Sequence, residues 1–224
     1  VFPVVFALGR VRAAHGALEE AWSLFDECDR LAETFGDVAA GVRFQLRIAR
    51  GVALCDHRRY GDAEALFAEA RAWAEMNPGP GELDLAPALG DHAEALIGVG
   101  RLDEAEDANR RAGDIRRRQL NADHPDLAWT LWNEGEIHRR RGRIAEAEAA
   151  LRASLKLRER TLGPDHRDTA AALHALGSLL AEGERRDEAR ALLTRALEIR
   201  RKSPGPDHPH TAETAVRLEA LGAV

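Results

Sequence analysis

The chain has 224 residues, of which 45% are hydrophobic, 31% charged and 5% aromatic, and its formal net charge is −6. That apolar share can bury a core, and the interleaved charges leave no basic block of the kind that tracks phosphates, so a nucleic-acid partner is not expected. No apolar run approaches the ~20 residues of a membrane span, and no basic leader precedes the apolar opening at residues 1–8, so no membrane role is expected either.

Alanine, leucine, glutamate and arginine dominate, all of them good helix formers, and the β-branched residues that strands favour are sparse. An all-α chain is predicted. Cys28 and Cys55 match no metal or disulfide spacing and read as small buried apolar side chains in a reducing cytoplasm. The Ala- and Arg-rich composition points to a bacterial source, and the missing initiator methionine to a fragment or a processed product.

Taken in chain order, the predicted helices fall into five pairs that recur every 42 residues. The first pair covers residues 1–37, with its leading helix shortened, and the second covers 38–77. Pro78-Gly79-Pro80-Gly81 marks a loop between repeats. The third pair spans residues 82–120, the fourth 124–162 and the fifth 166–202, and a last helix over 208–222, through Leu218 and Leu221, caps the array. The register is carried by side-chain size. Gly9, Gly51, Ala93, Gly135 and Gly177 are each 42 apart, as are Ala21, Ala63, Ala105, Ala147 and Ala189. Phe25, Phe67, Asn109, Leu151 and Leu193 keep the same step, and so do Cys28, Ala70, Ala112, Ser154 and Ala196. A small residue on the first helix of a pair (helix A) lets the second (helix B) cross closely, and Ala147, Leu151 and Ser154 share one face of helix B. Gly142 and Gly100 suit left-handed turns between helices. The loops Asp123-His124-Pro125, Asp165-His166-Arg167 and Asp207-His208-Pro209 precede helix starts, where proline and an early aspartate are favoured.

This pattern resembles the tetratricopeptide repeat, whose motif sets a small residue early in helix A, alanine twelve later, a large apolar residue four after that, and a small residue three further on. Gly135, Ala147, Leu151 and Ser154 fill those places, as do Gly177, Ala189, Leu193 and Ala196. The 42-residue step, against the usual 34, is similar to the kinesin light chain type, as are Leu162-Gly163-Pro164-Asp165-His166 and the helix end Ala196-Leu197-Glu198-Ile199-Arg200. The resemblance implies a right-handed α-solenoid of stacked hairpins forming one domain over residues 1–224, with a concave face lined by the A helices.

Chemistry is sought and not found in the motifs. His166-Arg167-Asp168 mimics a kinase catalytic triplet, but position 173 is Leu where that loop needs Asn, and His124 and His208 hold the same place in their own repeats. Histidines one repeat apart are two helix spacings of ~8–10 Å away from each other, too far to share a metal ion. No catalytic residue, metal or cofactor is expected. Arg116-Arg117-Arg118 and Arg139-Arg140-Arg141, each beside acids, read as solvated helix faces.

The resemblance implies a scaffold that binds a protein or peptide. Candidate groove residues are Asp91 and Glu94 in the third repeat; Trp129, Trp132, Asn133, Glu136, Arg139 and Arg140 in the fourth; and His174, Ser178 and Glu182 in the fifth, with Arg10 and Gln45 earlier. Two tryptophans three apart suggest a hot spot or packing between repeats. Asn133 matches the groove asparagine of the kinesin light chain type. The Lys/Asn/Arg clamp that some family members use for a C-terminal carboxylate is missing, since its places hold Phe6, Arg10, Ala49, Pro87 and Asp91. The acids Asp91, Glu94 and Glu136 favour a partner with basic and apolar residues. The competing readings are a regulatory region of a larger bacterial signalling enzyme (a kinase, protease or nucleotide-driven switch) and self-assembly through the helical end faces.

Overall fold

The computed structural model describes residues 1–33, 39–77, 85–183 and 185–222. Among them are eleven helices and no strand: α1 (Phe2–Ala14), α2 (Leu18–Ala32), α3 (Ala39–Asp56), α4 (Tyr60–Met76), α5 (Leu85–Val99), α6 (Leu102–Gln119), α7 (Pro125–Arg140), α8 (Ile144–Thr161), α9 (Arg167–Glu182), α10 (Arg186–Lys202) and α11 (Pro209–Gly222). The loop expected at Pro78-Gly79-Pro80-Gly81 lies outside the described residues. The helices gather into two compact halves, Val1–Ala112 and Gly113–Val224, and the division falls inside α6. In the first half α1 packs on α2, α3 on α4 and α4 on α5, while the A helices touch in order, α1 to α3 and α3 to α5. In the second half α7 packs on α8, α9 on α10 and α11 on α10, and the A helices α7, α9 and α11 again touch in order. This is an all-α helical repeat fold.

Four of the five hairpins close on one contact. A Cβ placed on Gly135 would lie 2.6 Å from Leu151 Cγ, and one on Gly177 would lie 2.9 Å from Leu193 Cγ. The same sixteen-residue offset puts Gly9 against Phe25, at 2.7 Å from Cε1, and Gly51 against Phe67, at 2.5 Å. Phe25, Phe67, Leu151 and Leu193 are fully buried, as are the five alanines that precede this position by four. Burying each such side chain stabilises by about 1.5–3 kcal/mol. Ser154, the polar member of its series, is also fully buried, and its hydroxyl donates to the Ala128 carbonyl at 2.7 Å. Cys28 and Cys55 are both buried and reduced.

The junction between repeats has its own chemistry. His124 and His166 each accept, on Nδ1, the backbone N–H two residues on, at 3.2 Å, and His208 does the same at 3.3 Å. An imidazole nitrogen thus caps the helix as the side-chain oxygen of Ser or Asp commonly does. This accounts for the kinase-like triplet at His166 as a helix start. A second element runs against expectation. Arg116 is not on a solvated face but buried, as are Arg158 and Arg200, each one 42-residue step from the next. Arg116 donates to Thr130 Oγ1 at 2.8 Å, Arg158 to the Asp168 carbonyl, and Arg200 to the His210 carbonyl at 2.8 Å and to Thr214 Oγ1. Each guanidinium ties a helix B to the early turns of the next helix A, and these charge-assisted bonds offset part of the desolvation of the charge. Arg117 and Arg118, by contrast, are exposed as expected.

The turn inside the first four hairpins is also periodic. Gly16, Gly100 and Gly142 have φ of 83°, 85° and 72°, and Arg58 stands at the equivalent place with φ of 60°. The bonds from Gly142 N to Arg139 O (3.0 Å) and from Arg143 N to His138 O (2.9 Å) are repeated by Arg58 N to Cys55 O (2.8 Å) and Arg59 N to Leu54 O (2.9 Å). These close a Schellman turn, whose left-handed residue disfavours a Cβ. Replacing Arg58→Gly is expected to raise stability by up to about 1 kcal/mol, the relieved strain exceeding the loss of a weak cation–π contact to Tyr60, whereas Gly142→Ala is expected to lower it by about 1 kcal/mol. Urea unfolding of the two variants checks both signs.

Candidate binding face

The A helices of the second half bring a row of polar side chains together. On α7, Arg139 pairs with Glu136 at 3.0 Å and reaches Glu182 of α9 at 3.2 Å. Glu182 also lies 3.8 Å from Arg217 of α11. One turn or more away, His174 of α9 meets Thr214 of α11 at 3.1 Å and Glu213 at 3.8 Å, and it sits 3.5 Å from Ser178 on its own helix. His210 approaches the same Glu213 at 3.8 Å. The three helices are thus cross-linked on one side by alternating charges and hydroxyls. Burial opposes the charge on Arg139, but Glu136 and then Glu182 outweigh it and hold the guanidinium above its ordinary value. Glu182 and Glu213 keep 39% and 31% of their side chains exposed, so these two carboxylates present the solvent-facing negative charge of the row.

The sequence-derived candidates divide on this framework. Glu136, Arg139, His174 and Ser178 all belong to the row. Arg140 is exposed. Asn133 is fully buried. Trp129 and Trp132 are half-buried and stack on each other with ring centroids 5.4 Å apart. Trp132 packs against the core cluster containing Leu151 and Leu176, and the Arg158 guanidinium lies 5.4 Å from the Trp129 ring centre. The pair therefore has a packing role, held between a buried arginine and the core. Asp91 and Glu94 are half-buried on α5, and their charges add to burial in pushing the Cys55 thiol of α3 well above its ordinary value. Between them, His92 is buried and bonds Glu64 of α4 at 3.1 Å, with burial lowering its pKa. Arg10 and Gln45 are exposed. Sequence reading did not single out Glu213, Thr214 or Arg217. A signal was present for two of them, because Glu213 is two 42-residue steps beyond Trp129 and Arg217 two beyond Asn133.

His174 illustrates what this row does to a titratable group. Burial, followed by the nearby Arg200 cation, lowers its pKa from 6.5 to about 3, while Glu213 opposes the shift and His210 and Arg217 add to it. The imidazole is therefore neutral at pH 7. Thr214 gives its single proton to the His210 carbonyl at 2.8 Å, so His174 Nδ1–H donates to the Thr214 oxygen and Nε2 is left as an acceptor for Ser178. The residue serves as a structural link between α9 and α11.

Comparison with known proteins agrees with this architecture. The family model for the tetratricopeptide repeat matches residues 84–160 and 126–202, together more than half of the chain. The chain belongs to the tetratricopeptide repeat family. Among solved structures, a thermophilic TPR protein of Thermus thermophilus is 18% identical over the full length of both chains, with a TM-score of 0.63. A kinesin light chain-type protein with nearly identical TPR-like repeats from Podosopora anserina is 18% identical, covering 89% of this chain and 95% of its own, at 0.60. The Rap conjugation gene regulator of the plasmid pLS20, solved in complex with the Phr* peptide, is 16% identical and aligns over 98% of this chain with a TM-score of 0.79, but this chain spans only 58% of its length. These likenesses show the fold. No curated protein matches the sequence significantly. Among the described residues no helix is long and apolar enough to cross a membrane.

The His174 link yields a pH prediction. Because the folded-state pKa is depressed, the unfolded chain takes up a proton below pH 6.5 that the fold refuses until about 3. Stability is therefore full above pH 6.5 and falls as pH drops through that window, with this group contributing at most about 1.4 kcal/mol per pH unit. Urea titrations at pH 7, 6 and 5 are expected to show a shallower fall for His174→Gln than for the parent chain. Parallel curves would assign the imidazole an ordinary, solvated titration.

Proposed function

We propose that the chain is a protein- or peptide-binding scaffold that does no chemistry of its own, and that its partner lies across α7, α9 and α11. The observation that carries this reading is the row of cross-linked polar side chains on three successive A helices, which holds a fixed pattern of donors, acceptors and charge without closing over it. A preorganised surface loses little side-chain entropy on binding. The titratable groups there have structural work. His174 is neutral and doubly engaged, and the loop histidines spend Nδ1 on helix caps. The Rap regulator's complex with the Phr* peptide and the Rap protein's complex with Competence and Sporulation Factor support the reading by likeness of fold.

The partner proposed is an extended segment carrying basic and apolar residues. Glu182 and Glu213 would receive the basic groups, since both face solvent whereas Glu136 is buried beside Arg139. Val216, 64% exposed, and the half-buried Trp132 stand one 42-residue step to either side of His174 and would take the apolar ones. Asp91 and Glu94 offer the same charge on the A-helix side of the first half.

A peptide array probed with the purified chain tests this. Peptides mixing basic and apolar residues are expected to be retained over acidic ones. The double variant Glu182→Gln, Glu213→Gln is expected to weaken that binding on the order of tenfold, about 1.4 kcal/mol, and to reduce its salt sensitivity while leaving the helical circular dichroism unchanged. Equal retention of acidic peptides would reject the charge assignment, and an unaffected double variant would move the partner off this face.

A further inference from the structure

Glu213 lies between two imidazoles that answer acid differently. His174 Nε2, from α9, stands 3.8 Å from one of its carboxylate oxygens, and His210 Nδ1, in the first turn of α11, stands 3.8 Å from the other. Glu182, the second solvent-facing acid of the row, sits instead beside Arg139 and Arg217, whose guanidinium charges do not change in mild acid. One carboxylate is thus set in a constant field and the other in a field tied to imidazole chemistry.

The two histidines are housed differently. His174 is closed in by Thr214 and Ser178, and burial followed by the Arg200 cation holds its pKa at about 3, so it stays neutral in mild acid. His210 keeps 26% of its side chain exposed. Its backbone N–H goes to His208 Nδ1 and its carbonyl accepts from Arg200 and Thr214, so main-chain bonds fix this turn of the helix. The other charged or titratable groups around the cluster are Arg200 from α10, Arg217 on α11, and His208, which is buried with its ring centre 5.3 Å from that of His210. An imidazole reached by water takes up its proton between pH 8 and 5, a range that leaves His174 unchanged.

The opening at this place is shared by earlier repeats. Asp168 and Asp126, one and two 42-residue steps before His210, have 41% and 48% of their side chains exposed. Ala171 and Trp129, at the corresponding steps before Glu213, are half-buried. At the starts of α7 and α9 the residue beside the row is an aspartate, and at the start of α11 it is an imidazole.

Resting on the binding reading above, we propose that His210 is a proton-operated switch on the face formed by α9 and α11. Neutral, it leaves the Glu213 carboxylate to a basic group of the partner. Protonated, it engages that carboxylate itself and repels the incoming cation. Glu182 is untouched by the change, so acid weakens the hold on a basic partner without abolishing it.

A labelled, end-blocked peptide of lysine and leucine is the probe, because its charge is constant in mild acid. It is titrated against the purified chain by fluorescence anisotropy at pH 7.5 and 5.5. The parent is expected to lose about threefold in affinity at the lower pH, the scale of one exposed ion pair. For His210→Gln the two affinities are expected to agree, whatever their common level. His210→Lys, which makes the cation permanent, is expected to bind about threefold more weakly than His210→Gln at both pH values. Acid loosening through His174 is common to all three chains and cannot produce these differences, and helical circular dichroism at each pH checks that they stay folded. A parent that binds the peptide equally at both pH values, or a His210→Gln chain that weakens as much as the parent, overturns the switch and leaves the binding face in place. A parent that does not bind the peptide at pH 7.5 overturns the binding reading, and the switch with it.

Discussion

Everything in this fold follows from how closely two helices approach at one point. Where helix A carries glycine, helix B sixteen residues later carries Leu or Phe, and no room remains between them for even a methyl group. That contact fixes the hairpin. Alanine four residues before the bulky side chain and a small residue three after it keep helix B close along its length, and all of these positions are free of solvent. The third repeat departs from the rule, with Ala93 and Asn109 in the two places, both still buried. Close packing of this kind makes size, more than polarity, the quantity that the chain's own repeats hold constant.

The second constraint acts between hairpins. A stack of helices leaves helix ends buried beside one another, and the first N–H groups of each helix need acceptors. The loop histidines supply one acceptor, and the arginines at 116, 158 and 200 bind groups in or near the first turns of the following helix. With those jobs taken by the helix ends, the A-helix side is left to carry other chemistry. In the second half it carries an alternating line of acids, bases and hydroxyls. Its members pair across helices as well as within one, so the line depends on the register that the glycine contacts set.

Much of this was legible in the sequence. The helix pairs, the left-handed turns at Gly100 and Gly142, and the histidine loops all express backbone or size constraints, which a fixed step displays directly. The residues that sequence reading misplaced or left open are those whose role depends on which side of a helix faces a neighbour. Arg116 looked like surface because arginine beside arginine usually is, yet its counterparts Arg158 and Arg200 mark an interior position. Asn133 and Glu136 sit three apart on one helix, but the first is fully buried while the second edges the ion-paired row. Trp132, read as either hot spot or packing, lies against the core. Arg58 occupies a glycine's place in the turn, which the composition of that turn alone does not reveal. Partner charges across helices, such as Arg139 with Glu182, need the packed structure, because residues 43 apart in sequence give no local signal.

The close contact itself is tested most directly by a double-mutant cycle on one hairpin, with Gly135→Ala and Leu151→Ala made singly and together and unfolded in urea. If Leu151 is what excludes a side chain at position 135, Gly135→Ala alone lowers stability by about 1–3 kcal/mol through overpacking. In the Leu151→Ala background the same substitution then costs nothing, or stabilises by up to about 1 kcal/mol through the higher helix propensity of alanine. An equal cost in both backgrounds would contradict the account.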